Sequence, residues 1–169
     1  MPMRSLVPSV PCSFVPTFPR SLVPSFPVLR YHHSMPTTFE KLNLKDQREI
    51  LVLDAPENFE PQLSTLRDVT IHRTLRAGSE VHFVLAFVTR KKNVDTLSPR
   101  IAKLAKGDAI LWFAYPKGTS KIYQCDFNRD NGWDVLTSLG WETVRAVAID
   151  DDWSALRFRR KEFVKARAN

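Results

Sequence analysis

Three unbroken apolar stretches constrain this chain more than any other feature: Ile50-Leu51-Val52-Leu53, Val81 to Val88 with only His82 interrupting it, and Ala109 to Tyr115. Segments this short with no polar side read as central strands, buried above and below by helices. Val69 to Leu75 alternates instead, with Val69, Ile71, Arg73 and Leu75 on one side, which suits a strand nearer an edge. Two further strands are expected at about Thr143 to Ile149 and Trp153 to Arg160. Asp150-Asp151-Asp152 between them is too short for a parallel crossover, so the pair should form an antiparallel hairpin.

Helices are expected between the strands. The clearest spans Ser98 to Lys106, with Ser98 as N-cap and Pro99 at the first helical position, where its missing donor costs nothing. Ile101, Leu104 and Ala105 would face inward, and Gly107 would allow a left-handed stop. A second covers about Asp130 to Leu139, with Trp133, Leu136 and Leu139 on one face and Gly140 ending it. A third lies near Pro61 to Leu66. The order β-α-β-β-α-β-α-β-β describes an α/β fold: one mostly parallel sheet, covered by helices on both faces, with a C-terminal antiparallel hairpin.

The arrangement over about residues 81–160 resembles the closing part of class I methyltransferases, and the whole resembles a truncated methyltransferase-like Rossmann fold. The likeness rests on the order of elements and is one of fold. The sequence departs from that family after the first strand. There a Rossmann cofactor loop needs glycine, so that backbone can approach the ligand. Here Asp54-Ala55-Pro56-Glu57-Asn58-Phe59 follows, and the only glycine before residue 107 is Gly78. Neither S-adenosylmethionine nor a nicotinamide cofactor is therefore expected, nor any other cofactor.

Residues 1–34 differ in kind. They hold seven of the twelve prolines, three arginines and no acidic residue, and Arg4-Ser5-Leu6-Val7-Pro8-Ser9 recurs as Arg20-Ser21-Leu22-Val23-Pro24-Ser25. Proline removes backbone donors and disfavours helix before it, so this segment is expected to be a disordered tail outside a domain of residues 35–169, with Met35 as the natural start. Proline also breaks the amphipathic helix of a transit peptide and the apolar stretch of a secretory signal. No apolar run reaches the ~18 to 20 residues of a membrane span. Cys12 and Cys125 are the only cysteines, so a disulfide framework is absent and a cytoplasmic setting is expected.

The most distinctive strings are Ala114-Tyr115-Pro116-Lys117-Gly118-Thr119-Ser120-Lys121, Asp126-Phe127-Asn128-Arg129-Asp130, and Ala148-Ile149-Asp150-Asp151-Asp152-Trp153-Ser154-Ala155-Leu156-Arg157-Phe158. With Leu53-Asp54-Ala55-Pro56 they resemble an uncharacterised bacterial family of small domains of unknown function. That resemblance implies a bacterial cytoplasmic setting and no particular activity.

Candidate sites follow from these strings. Lys117, Gly118, Thr119, Ser120 and Lys121 follow a buried strand, where open α/β sheets bind ligands. Glycine would permit close approach, hydroxyls could donate and lysines supply charge, making an anion cradle; the competing reading is a solvated turn. Asp126 and Asp130 near Arg129 could serve acid/base or metal chemistry; equally, Asn128 or Asp130 could cap the following helix while Arg129 pairs locally. Asp150-Asp151-Asp152 reads as a hairpin turn, and no histidine or cysteine spacing forms a metal or redox motif. Residues 35–169 carry 22 basic and 18 acidic residues, too mild an excess for a nucleic-acid footprint. The basic end, with Arg157, Arg159, Arg160, Lys161, Lys165 and Arg167 against Glu162, could grip phosphates or simply guard an edge strand.

These residues together point to a non-catalytic module that binds an anionic small molecule or a protein partner near Lys117 to Lys121. Two alternatives stay open: an enzyme using Lys117 with Asp126 or Asp130, and weak nucleic-acid binding through the basic C-terminus.

Overall fold

Six strands form one sheet. The computed structural model describes residues 36–164. The proline-rich segment, Lys165 and Arg167 lie outside the described residues. In chain order the elements are α1 (Thr38–Lys41), β1 (Glu49–Leu53), α2 (Glu60–Ser64), β2 (Thr70–His72), β3 (Val81–Phe87), α3 (Lys91–Leu104), β4 (Ala105–Pro116), α4 (Asp134–Ser138), β5 (Trp141–Ala148) and β6 (Trp153–Arg160). A turn of 3-10 helix at Glu57–Phe59 leads into α2. Among the described residues no helix is long and apolar enough to cross a membrane.

The three apolar runs lie side by side as β1, β3 and β4, all parallel. β2 extends the parallel set at one edge, and β6 and β5 close the other as an antiparallel hairpin. The fold is thus the expected Rossmann-like α/β sheet with a C-terminal hairpin. The chain leaves β1 towards β2 and returns on the other side as β3, so the strand order reverses between β1 and β3. Crevices at such a reversal, beside the carboxyl ends of the strands, are where open α/β sheets usually take ligands.

Each face of the sheet carries its own core. On one, Leu51, Val84, Leu111 and Phe113 pack with Val94 and Ile101 of α3 and with Trp133 and Leu136 at α4. On the other, Ile50, Val52, Phe83, Leu85 and Trp112 pack with Phe39, Leu42, Phe59, Leu63 and Trp153. The indole N–H of buried Trp112 donates to the Leu42 carbonyl at 2.7 Å, tying the α1 segment to the sheet.

Several local expectations change: the helix expected at Asp130 to Leu139 spans only Asp134–Ser138 with Leu139 exposed, and the strand expected at Val69 to Leu75 shortens to Thr70–His72. The helix predicted to begin at Ser98 begins at Lys91, and Pro99 stands inside it. Ser98 is buried, and its hydroxyl donates to the Val94 carbonyl at 2.6 Å instead of capping an N-terminus. The missing proline donor is tolerated because Val94 and Ile101, on either side of it, hold the helix against the sheet. Gly107 does not stop that helix. It adopts φ +54° within β4, where the pairing with β3 slips between Val81↔Ala105 and Phe83↔Ile110. α1 was unforeseen, although Thr37 and Glu40 form a reciprocal capping box at its start.

Candidate functional site

Pro116 ends β4 because it has no N–H to continue the ladder. The loop that follows, up to Trp133, builds the carboxyl rim of β4. Its polar groups are largely engaged with one another. The Lys117 ammonium donates to the Asp150 carbonyl at 2.5 Å, and the Lys117 N–H donates to the Asp152 carbonyl at 2.8 Å. Ser120 Oγ donates to Asp152 Oδ1 at 2.7 Å and accepts from the Tyr123 N–H at 3.1 Å. Asp150 Oδ1 accepts from the backbone of Asp152 and Trp153, closing the β5–β6 turn as expected.

The predicted cradle is therefore a strut joining β4 to the β5–β6 turn. Lys117, Gly118 and Ser120 do line a common cavity, whereas Thr119 and Lys121 are exposed beside it. A Cβ at Gly118 would meet nothing within 4 Å, so no close approach demands glycine there.

The carboxylates go elsewhere. Asp126 Oδ1 accepts from the Lys91 N–H at 2.7 Å, at the start of α3, where a negative charge suits the helix dipole. Asp130 pairs with Arg129 at 3.1 Å on the exposed surface, the local pairing expected of Arg129. Asn128 Oδ1 accepts from the backbone of Asp130 and Asn131, a local turn, so neither Asn128 nor Asp130 caps α4. Lys117 and Asp126 line different cavities. Among the described residues no group of three His, Cys, Asp or Glu side chains could hold a metal ion.

What the loop does bring together is aromatic. A cavity of about 550 Å³ at the end of β4 is lined by Tyr115, Tyr123, Phe127, Gln124, Asn128 and Arg129, besides the strut residues. Tyr115 comes from the α3/α4 face of the sheet and Tyr123 packs on the opposite face, so the cavity straddles the sheet end. The rings are held by a framework below them. Phe127 meets Trp133 edge-on at 5.1 Å, Tyr115 meets Trp133 at 5.9 Å, and Tyr123 lies 4.9 Å from Trp153. The Trp133 indole N–H donates to the carbonyls of Asn128 and Arg129, which pins the loop.

Burial pushes the Tyr115 hydroxyl above the usual phenol range; Arg129 opposes this, and Asp130 and Cys125 add to it. Burial likewise raises the Cys125 thiol, opposed by a hydrogen bond from the Phe127 backbone and aided by Asp126. Both groups stay protonated at neutral pH, so Tyr115 can donate a hydrogen bond and Cys125 is a poor nucleophile. These aromatic residues were missed as a site because Tyr115 reads as a core strand residue. The only trace in the sequence is the spacing of Tyr123 and Phe127 after the lysines.

No family model matches this chain, and no curated protein matches it. Solved structures do. A ribosomal protein L11 methylase from Lactobacillus delbrueckii subsp. bulgaricus is similar at 9% identity and TM-score 0.48, over 73% of this chain and 76% of that one. An S-adenosylmethionine-dependent methyltransferase from Aquifex aeolicus is similar at 13% identity and TM-score 0.47, over 72% and 86%. Haemonchus contortus phosphoethanolamine N-methyltransferase 2, bound to phosphomonomethylethanolamine and S-adenosylhomocysteine, is similar at 9% and 0.48, over 75% of this chain and 38% of that one. At such identities the likeness is one of fold.

The expectation of a non-catalytic module for an anionic ligand or protein partner near Lys117 to Lys121 is corrected: Lys117 and Ser120 are spent on the strut to Asp150 and Asp152. The alternative enzyme built on Lys117 with Asp126 or Asp130 loses its geometry, since those carboxylates serve α3 and Arg129. Two arginines of the basic C-terminal strand are engaged within the chain: Arg159 makes two hydrogen bonds to Asp108, and Arg160 donates to the carbonyls of Ala102 and Ala105.

The methyl donor of such enzymes can be tested against the residues present. After β1, Asp54 takes φ +51° with its side chain exposed, and Pro56 offers no N–H. The Phe59 N–H is spent on the Pro56 carbonyl at 2.9 Å, and the Phe59 ring is buried in the core. A loop so built offers no glycine cradle, and the donor does not fit there in that manner.

Proposed function

We propose that this chain is an enzyme domain that takes a small molecule bearing a planar heteroaromatic ring at the carboxyl rim of β4. The observation that carries this reading is the cavity in which Tyr115, Tyr123 and Phe127 converge, with Gln124 and Asn128 beside them. Aromatic edges and faces favour a flat ring, and amide groups read the hydrogen-bonding edge of such a ring. The protonated Tyr115 hydroxyl donates to a ring acceptor. A volume of about 550 Å³ lies within the range of small-molecule pockets. Its position at a strand's carboxyl end is where α/β sheets place ligands.

The test is titration calorimetry on the full chain with adenosine, S-adenosylmethionine, S-adenosylhomocysteine and, as the ringless control, ribose. Ring-bearing compounds should bind and ribose should not. Tyr123→Ala should weaken binding at least about tenfold, the order of one lost base-stacking contact. Tyr115→Phe should weaken it less and leave the ring preference intact. Equal binding of ribose and adenosine, or binding indifferent to Tyr123→Ala, would remove the reading. A cofactor that binds without need of Tyr123 would place its site elsewhere.

A further inference from the structure

A second cavity lies at the opposite rim. About 980 Å³ opens where β1, β3 and β4 begin, and its walls include Ile50, Phe83, Ile110, Leu75 and Arg157. Ile50, Phe83 and Ile110 are core residues of one sheet face. Arg157 lies opposite Trp112 in the β4–β6 register, and side chains alternate along strands, so it shares that face.

The state of Arg157 is unusual. Its Nε is shut off from solvent and has no hydrogen-bond partner among the described residues. The acid beside it, Asp108, is already held by two hydrogen bonds from Arg159. Loss of hydration lowers the proton affinity of Arg157 most; Arg159 and Arg145 lower it further, and Asp108 only partly offsets them. A guanidinium stays charged regardless. The other charges on the cavity wall are balanced, with Arg48, Arg76 and Lys106 against Asp46, Glu49 and Glu80, and all six are exposed. Glu49 faces His72 at 3.5 Å. The uncompensated charge on this wall is thus one planar fork bordered by hydrocarbon.

We infer that this amino-rim cavity is a binding site for a small monocarboxylic acid with an apolar body. The carboxylate pairs end-on with the two terminal Nη groups of Arg157, whose parallel donors match its two oxygens. The hydrocarbon lies against Leu75, Val81 and Leu104, the part-exposed apolar residues of the wall. Arg48, Arg76 and Lys106 are balanced by Asp46, Glu49 and Glu80, so the one unbalanced cation, Arg157, suits a single delocalised negative charge.

The experiment uses the full chain and three probes: decanoate, decanol and inorganic phosphate, measured by titration calorimetry. Decanoate should bind at least about tenfold tighter than decanol, and phosphate should not bind. Arg157→Gln should erase the preference for decanoate while decanol binding persists, and Arg157→Lys should restore it only in part, because the fork is lost. Without ligand, Arg157→Met should raise the melting temperature, since it removes an uncompensated charge. Tyr123→Ala should leave decanoate binding unchanged, which separates this site from the carboxyl-rim reading. Equal affinity for decanoate and decanol, a preference that survives Arg157→Gln, or binding of neither would overturn the inference.

Discussion

The two rims of the sheet treat polar groups in opposite ways. At the carboxyl rim nearly every conspicuous charge has found an intramolecular partner: Lys117 with the Asp150 carbonyl, Ser120 with Asp152, Asp126 with the start of α3. At the amino rim Arg157 and Arg160 each keep an Nε donor that no described residue satisfies, and Arg157 faces a cavity. Burying an unsatisfied cation is costly, whereas a chain of satisfied loop contacts stabilises. Polar clustering in a loop is thus a poor guide to a ligand here. An unsatisfied cation beside a cavity says more.

This contrast can be broken most forcefully at Gly132. Its φ is +97°, and an added Cβ would come within 2.7 Å of the Phe127 Cβ, which belongs to no flexible side-chain end. Gly132→Ala should cost about 2 to 4 kcal/mol in denaturant unfolding, from backbone strain plus overpacking. It should also displace Phe127 and so weaken ring binding at the carboxyl rim while sparing the amino rim. A cost below about 0.5 kcal/mol would show that the loop is not held as described.

Lys117→Ala is the next test. Loss of its hydrogen bond to the Asp150 carbonyl should cost about 1 kcal/mol of stability. Unfolding that is unchanged would free Lys117 from the strut and weaken the comparison of the rims.

Alkaline pH gives a milder probe. Tyr115 and Cys125 both have raised values in the folded chain, so the unfolded chain loses these protons first. Their contribution is complete below the unfolded thiol value, about 8.5, and is lost as pH rises through the folded values, above about 10 for the phenol. The melting temperature should therefore fall across this window, and Cys125→Ala should flatten its lower part. Gly118→Ala closes the series. With open space around that position and no positive φ, it should change stability by less than about 0.5 kcal/mol.

Much of the fold could be read from the chain because burial on both sides of a strand leaves a plain mark. Ile50 to Leu53, Val81 to Val88 and Ala109 to Tyr115 carry no polar alternation, and they are the three central neighbours. The tight Asp150–Asp152 link required the hairpin. Pro99 misled the reading of α3, since a proline is usually an N-terminal residue and local sequence does not report the packing that tolerates it mid-helix. The sites were less legible. Lys117 to Lys121 looks like a cradle until its partners, 30 or more positions away, are in place. Tyr115 and Arg157 look like ordinary strand residues, and only the folded geometry places one at a rim and the other beside a cavity.

β5 carries a consequence of its own. Among the described residues it pairs only with β6, most of its residues are exposed, and its register slips between Thr143 and Arg145. A strand from a neighbouring molecule would meet donors and acceptors out of step, flanked by the opposite charges of Glu142 and Arg145. Lateral growth into fibres is thereby discouraged along that border.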